Sequence, residues 1–578
     1  MSLPESKELV TPATSQHIEV SKHHRVIDAI PLEQEAHQDV HHVNLGWRSW
    51  AVVFVTGVAL FAQTFVVIAA GSVIAFIVRD LGDAPISGWI IQGPLLMQSV
   101  LSPVVGRLSD VIERKYMAAV PPLIAFVGAV ISAKATSMSM LIGGGILVGA
   151  TLATVPIVHA ISAEVLPLKY RSLASGSGVG TLGSGAVTNV NAGGWRYIFW
   201  MQAAFHGVTF LGLAFFYWPS NNIEYPKMTI NEYIWACDPI GSMLAVTSVT
   251  LMLLALDWLG GAYAASDPHV AVPLSIGLVC LVAFAIYEWK GRSDGLVAHV
   301  FFRQNANFAL SVFAFSVEGW IFYSAVNSVV PQIVLNLGFA DDAWRISVRQ
   351  LSYQLVTLVA SVPIVWYSIR FKDMQTPLLL SFGVFFINNL LRHHPPLLEP
   401  RPARHQRPGR HRPGRLLSLL VACVQFSAPH AFLSTATGLA FSARAIGGAF
   451  GSAVLNAVIN GRLSAHYAPV VGAAATGAGL SADEVPRLLE YLEQGRLPEG
   501  EAAGAAGGIT PEIWAAALGA SREEYAHAYR LAWSSVIPFV VLAIVAVACL
   551  KGVKELMTEK VEATVEHAER VEKGDEVN

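Results

Sequence analysis

Gly106–Tyr116 reads GRLSDVIERKY, a short charged stretch set between two long apolar ones. Ile86–Val105, ISGWIIQGPLLMQSVLSPVV, precedes it, and Met117–Ala133, MAAVPPLIAFVGAVISA, follows. Arg107, Asp110, Arg114 and Lys115 are expensive to place in hydrocarbon, so the stretch is expected to be a hinge at a membrane face. Gly106 would let helices approach closely. Asp110 stands where it can cap or pair across a helix interface, and Arg114 and Lys115 would anchor the inner face.

The rest of the chain has the composition such a hinge requires. Of 578 residues, 53% are hydrophobic and 14% charged, and the mean hydropathy is +0.50. A soluble domain is nearer about 25% charged. The apolar content falls in runs of roughly 20 residues, the length that crosses a bilayer as a helix. No short alternating segments suggest a membrane barrel. The fold class expected is therefore an all-α membrane protein. A net charge of -3 argues for no particular partner, nucleic acid included. Cys237, Cys280, Cys423 and Cys549 lie in or beside apolar runs without close pairing, and are read as inert thiols. Residues 1–45 are polar and His-rich, with no signal peptide, and read as a disordered cytoplasmic tail. His23–His24 and His41–His42 are read as part of that tail, and no metal or cofactor is expected.

Spans are expected at about 50–73, 86–105, 116–135, 139–160, 172–191, 198–218, 239–259, 270–288, 308–332, 347–369 and 375–391. A broken span ending near Phe426 follows, then about 431–458 and 532–550, roughly fourteen in all. The basic residues of short loops set the orientation. Arg107, Arg114, Lys115, Lys169, Arg171, Lys290, Arg292, Arg303, Arg370 and Lys372 fall on one side, which places both termini in the cytoplasm. Residues 459–530 become a long extracellular segment that includes the amphipathic SADEVPRLLEYLEQ and is read as a packed external subdomain, with substrate capture as the alternative, and 551–578 a charged cytoplasmic tail.

Residues 392–415, RHHPPLLEPRPARHQRPGRHRPGR, do not fit. The spacing demands a loop and half a helix there. Proline breaks helices, and so many Arg and His cannot enter lipid. The twelfth span is disrupted by it.

Several residues carry candidate chemistry. Glu318, in FAFSVEGWIFYSAVN, lies in the body of the ninth span, and an intramembrane carboxylate is a proton-site candidate. Arg444 stands in the small, apolar run Ser434–Val458, where a charge costs about 2.5–3.5 kcal/mol to insert and needs a partner, water or a membrane face. Gln63, Gln92, Gln98, Tyr323, Asn327, Tyr353, Gln354 and Gln425 are polar or amphipathic groups within spans. Gln92, Tyr323, Asn327 and Gln425, with Trp320, are candidates to line an amphipathic cavity. Glu164 and Arg171, in EVLPLKYR, could pair with each other or with the opening stretch. GWRYIFW, Gly194–Trp200, suits an interfacial anchor. His159 and His206 read as packed histidines. No P-loop supports ATP-driven transport, and no catalytic cluster supports an enzyme.

The spacing Gly106-x-x-x-Asp110-x-x-x-Arg114-Lys115 resembles the loop between helices 2 and 3 of the major facilitator superfamily. The PLKYR turn and Ser434–Val458, preceded by VACVQFSAPHAFL, resemble the fungal trichothecene efflux pump and siderophore transporter branch. The resemblance extends over most of 46–391 and 416–560. It implies two six-helix bundles, 46–219 and 296–550, and a linker, 220–295, with two extra helices. It further implies alternating access, proton-driven transport of an amphipathic organic solute, and a monomer in the plasma membrane or, alternatively, the vacuolar membrane. In the superfamily the opening loop latches the two halves in one access state, which makes Gly106, Asp110, Arg114, Lys115, Glu164, Arg171 and Arg444 the gate residues. Two positions depart from the pattern: Val111 replaces a base and Glu113 a glycine. Gly183-Ser184-Gly185 stand where proton antiporters often carry Gly-Pro, which weakens the antiport signal.

Efflux of a toxin, secondary metabolite or drug is the leading expectation. Siderophore-iron import by the same fold is the alternative, and a non-transporting receptor or inactive product the third. Relatives tend to carry a Gly-Ile-Gly-Gln-Ala-Gly stretch near the basic insert. GC-rich codons for it, read one frame over, give His-Arg-Pro-Gly-Arg, which is His411–Arg415. We read 392–415 as a frame or splice artefact; a genuine basic cytoplasmic insert would require a different topology.

Overall fold

The structure, a computed structural model, describes residues 47–83, 86, 88–112, 114–165, 193–218, 229–259, 263, 266–303, 306–324, 333, 336–339, 363–393, 416–429, 432–494 and 509–552. Among these residues the chain is helical, with no strand. The elements are α1 (Trp47–Leu81), α2 (Trp89–Val111), α3 (Arg114–Ala133), α4 (Met138–Ala153), α5 (Val155–Val165) and α6 (Arg196–Phe216). Then come α7 (Ile230–Ala236), α8 (Pro239–Leu259), α9 (Pro268–Ile286) and α10 (Asn307–Tyr323). The last are α11 (Gln375–His393), α12 (Leu416–Phe426), α13 (Leu433–Gly477), α14 (Val485–Gln494), α15 (Pro511–Ser534) and α16 (Ile537–Ala548). Eight helical segments of the described residues are long and apolar enough to cross a bilayer.

The opening stretch is not the hinge the charges suggested. α2 continues through Gly106, Arg107 and Asp110 to Val111, and α3 starts at Arg114, so Ile112–Glu113 alone separate the two helices. Arg107, Asp110 and Arg114 are buried against protein. Asp110 and Arg114 answer one another's charge at 3.1 Å. The fourth span is interrupted at Thr154, between α4 and α5. Pro156 explains the break, since its ring has no N–H and would clash with the carbonyl of Leu152 in a continuous helix.

The segment after 458 is largely helical and packed. α13 runs 45 residues without interruption. At 1.5 Å per residue it is roughly 68 Å long, about twice the hydrocarbon thickness. Val471 and Ala475 of its far end pack with Leu480 of the following turn, Leu488 of α14, and Ile513 and Ala517 of α15 in a buried cluster. Arg462 pairs with Glu524 at 2.7 Å, and the Tyr467 and Ser521 hydroxyls meet at 3.0 Å. The Ala-rich sequence supports helix there, and α15 covers its apolar face. α12 is an 11-residue helix starting at Leu416, about half a span. Residues 394–415, the expected span 172–191, and Arg171, Asn327, Tyr353 and Gln354 lie outside the described residues.

On the N-terminal side, Asp80 at the end of α1 accepts hydrogen bonds from Trp195 Nε1 at 3.0 Å and Arg196 Nη1 at 2.7 Å. Arg196 Nη2 donates to the Ala135 carbonyl at 3.0 Å. GWRYIFW is thus an anchor, tying α1, the α3–α4 turn and α6 together. α8 and α9 pack as a pair, with Gly277 against Met252 and the Ser248 carbonyl.

Candidate functional site

The two halves of the chain meet where α2 crosses α13, and small residues set the contact. A Cβ on Gly106 would collide with the Ser434 carbonyl, and one on Gly438 with the Ser102 carbonyl. The Ser442 hydroxyl donates to the Ser99 carbonyl. Positions falling along α2 therefore meet positions rising along α13, so the helices run antiparallel. Backbones this close need Gly or Ser at the contact.

Asp110 closes one end of this crossing. Its carboxylate accepts the backbone N–H of Ser434 at 3.1 Å, the N–H of Thr435 at 2.7 Å and the Thr435 hydroxyl at 2.7 Å. α13 begins at Leu433, so these are N–H groups without an intrahelical acceptor. Phe432, at the N-cap, has no side-chain oxygen to offer. Asp110 supplies the cap from another helix, with its negative charge at the positive end of the α13 dipole. Arg114 Nη2 donates to Asp110 at 3.1 Å, one turn on. Lys115 places its ammonium 2.7 Å from the centroid of the Trp218 ring at the end of α6. Glu164 is in the last turn of α5.

Further along α13, Arg444 meets Glu318 of α10. Arg444 Nε donates to one Glu318 oxygen at 2.6 Å and Nη2 to the other at 3.2 Å. Nη1 donates to the Tyr323 hydroxyl at 3.1 Å, and that hydroxyl donates to Gln98 Oε1 on α2 at 2.8 Å. The guanidinium also lies 4.6 Å from the Phe322 ring centroid and 5.4 Å from that of Phe315. Glycines admit these groups. Gly319 faces the Arg444 carbonyl, Gly448 faces Tyr323, and Gly451 faces the Trp320 indole. The charge anticipated in Ser434–Val458 thus has a buried carboxylate as its partner. His159 stacks on Phe441 at 5.2 Å.

At the opposite end of the crossing a narrow crevice, open to the outside, lies between α2, α13 and α8. Trp89, Gln92 and Leu96 of α2, Ala453 and Asn456 of α13, and Leu253 of α8 are among its walls. The structure therefore puts Gln92 in a crevice and Tyr323 in the buried relay. Trp320 packs on Phe450 and Phe539 instead. Gln425 is buried and donates to Thr437 at 3.4 Å. Sequence reading missed Asn456 and the α8 wall, because Asn456 is one amide in an Ala-rich helix. It also missed Ser434 and Thr435, although Ser-Thr at a helix start is a capping signal.

A bundle of apolar helices with ion pairs buried inside it and two halves meeting across glycine-lined crossings defines a multi-pass helical membrane protein. Residues 54–391, more than half of the chain, match the family model for the Major Facilitator Superfamily. The chain belongs to that superfamily, whose members are transporters, not enzymes. It is 25% identical over 454 residues to the MFS-type transporter prx5 of Penicillium rubens, covering 76% of this chain and 81% of that protein. To the efflux pump FUS6 of Gibberella fujikuroi it is 28% identical over 254 residues, 42% of this chain and 45% of the pump. Matches to three other fungal MFS-type transporters span 43%, 42% and 49% of their lengths. Among solved structures, the peptide transporter POT in complex with sulfate is similar over 88% of this chain and 95% of its own, with 13% identity and a TM-score of 0.46.

Proposed function

We propose that this chain is a proton-coupled efflux pump that moves a fungal toxin, secondary metabolite or drug by alternating access. The observation that carries the reading is the buried Glu318–Arg444 pair, linked through Tyr323 to Gln98 on the other side of the crossing. A carboxylate at membrane depth changes charge when it binds a proton, and here that change is felt by a cation it holds through two hydrogen bonds. Protonation of Glu318 releases Arg444, and Arg444 is hydrogen-bonded to the residue that touches α2. Proton binding and the α2–α13 contact are thereby coupled through four side chains.

The crossing has the form of a gate in one access state, closed at the Asp110 end and parted at the Trp89 end. With both termini in the cytoplasm of a plasma-membrane protein, the closed end is cytoplasmic and the crevice opens outward. Glu318 would take its proton from outside, and its return to the charged form on the inner side would restore the pair as solute is loaded. Gln92 offers a hydrogen-bonding amide among apolar walls, which suits an amphipathic organic solute. Lys115 supports the inner face. The FUS6 relative, an efflux pump, favours export over import.

Overexpression in a drug-sensitive yeast challenged with a panel of fungal toxins tests the reading. Tolerance to at least one toxin, lost in Glu318→Gln, is the expected result. Improved growth of iron-starved cells on a siderophore, with no gain in tolerance, would replace export by import. No change in either would favour a product that does not transport.

A further inference from the structure

We propose that Arg107 makes the two-helix linker a third arm of the gate, acting as a positioning residue that ties the base of α7–α9 to the closure of α2 on α13. Arg107 lies between Gly106 and Asp110 on the face of α2 that ends in the gate, and its side chain is fully buried. Three contacts define what it does. Its Nε donates to the carbonyl of Ala236, the last residue of α7, at 2.9 Å. Its Nη2 stands 3.9 Å from Asp294, just past the hairpin. Its guanidinium lies 5.0 Å over the ring of Phe432, the N-cap residue of α13. One α2 side chain therefore touches the linker twice and α13 once, beside the Asp110 cap.

The linker side is built to resist displacement. Asp294 accepts two hydrogen bonds from Arg292, at 2.8 and 3.2 Å. Arg292 Nη1 is 3.8 Å from Asp238. Asp238 turns α7 into α8 with φ of 50°, a left-handed conformation that Asp tolerates better than most residues. Its carboxylate accepts from Gly241 N–H at 3.1 Å and the Tyr287 hydroxyl at 3.2 Å. The Leu296 N–H reaches both Asp238, at 3.2 Å, and Glu288, at 3.3 Å, and the Val297 N–H reaches Glu288 at 3.0 Å. Only glycine fits at Gly241 and Gly295 beside these carboxyl groups, since a Cβ on either would strike them. The end of α7, the start of α8 and the turn after α9 are thus one stiff base.

Arg107 is held more lightly than the groups behind it. Neither of its two Nη atoms makes a hydrogen bond within the described residues, and the Asp294 contact is a charge pair without one. That contact can part without dismantling the linker, which is what a gate strut requires. An extra helix pair fastened only by its apolar faces would not sense whether α2 and α13 are joined. Fastened through Arg107, it favours the joined state.

The test reads the gate itself and does not depend on substrate or on Glu318. Ser109 and Ser434 bring their hydroxyls to 3.4 Å across the closure. In the full chain in membranes, Ser109→Cys with Ser434→Cys is oxidised with copper phenanthroline, and the linked peptide is quantified by mass spectrometry. Asp294→Asn should lower the cross-linked fraction roughly five-fold, the size expected from one partly buried charge pair. Asp294→Glu, which keeps the charge facing Arg107, should retain most of it. Should Asp294→Asn fail to reach the membrane, Arg107→Lys is read instead, since it keeps the charge but loses the Nε bond to Ala236; a fall is again expected. Unchanged cross-linking in the variant read, or an equal fall in Asp294→Glu, overturns the proposal.

Discussion

Asp110 of α2 caps α13 from outside its own helix, accepting the Thr435 N–H and hydroxyl at 2.7 Å each. Asp110→Asn keeps an acceptor but removes the charge that faces both the helix dipole and Arg114. A loss of about 2 kcal/mol is expected, the upper end of cap and dipole effects in buried settings. Thermal unfolding in detergent should show a lower Tm, and Ser109–Ser434 cross-linking should fall. A wild-type Tm and full cross-linking would mean that the cap does not hold the gate.

Glu318→Gln leaves Arg444 buried without its carboxylate, and breaking one side of such a pair costs about 3–5 kcal/mol. Replacing both partners with apolar residues, Glu318→Leu with Arg444→Met, should be less destabilising than Glu318→Gln alone. Both variants should lose proton-driven transport. Melting curves separate the structural effect from the transport effect. A double variant less stable than Glu318→Gln would show that the pair is not the main source of the loss.

Gly106→Val should block the crossing, because even one carbon there meets the Ser434 carbonyl. Overpacking of this kind costs about 1–3 kcal/mol. The expected signature is a gate that cross-links poorly at 109–434 while the chain still inserts in membranes. Normal cross-linking would show that α2 and α13 can shift to admit the side chain.

Asp294 allows a pH prediction. Burial pushes its carboxyl up, but the hydrogen bonds and charge of Arg292, with the charge of Arg107, outweigh that and hold it below the usual carboxylate range. A folded-state pKa below the unfolded one means stability that is present above the unfolded value, about 3.9, and is lost as pH falls through the folded value. The destabilisation by Asp294→Asn in detergent melts should therefore be the same at pH 7 and pH 5. It should shrink only below about pH 4. A difference that disappears between pH 7 and 5 would contradict this.

The basic stretch 392–415 has a direct check. Sequencing the transcript should give a message in which the stretch is absent or read in another frame, joining α11 to α12 through an apolar, glycine-rich segment. An intact message encoding RHHPPLLEPRPARHQRPGRHRPGR would overturn the artefact reading.

What the chain declares locally was legible without coordinates. Lipid selects for apolar runs of about 20 residues, so the spans matching α3, α6, α8 and α9 were found to within a few residues. Glu318 and Arg444 stood out because charge is rare at that depth. Two local signals misled. The charges of GRLSDVIERKY looked like a loop, although a helix can carry them if partners are buried with it. The boundary at Val458 was the other, since the helix runs on to Gly477 where Ala favours helix and α15 supplies the covering face.

By itself the sequence determined a chain of membrane helices punctuated by glycine and proline, with a few charges that had to be answered from elsewhere. It did not contain the answers in readable form, because hydropathy and helix period report only on neighbours along the chain. Glu318 and Arg444 are 126 residues apart, and Asp110 and Thr435 are 325 apart. Only the tertiary structure decided that Asp110 caps α13, that Arg444 spans from Glu318 to the residue touching α2, and that Arg107 fastens the linker. The physical reason is the same in each case: a buried charge requires a partner, and the packing of glycine-lined helices chooses which one it meets.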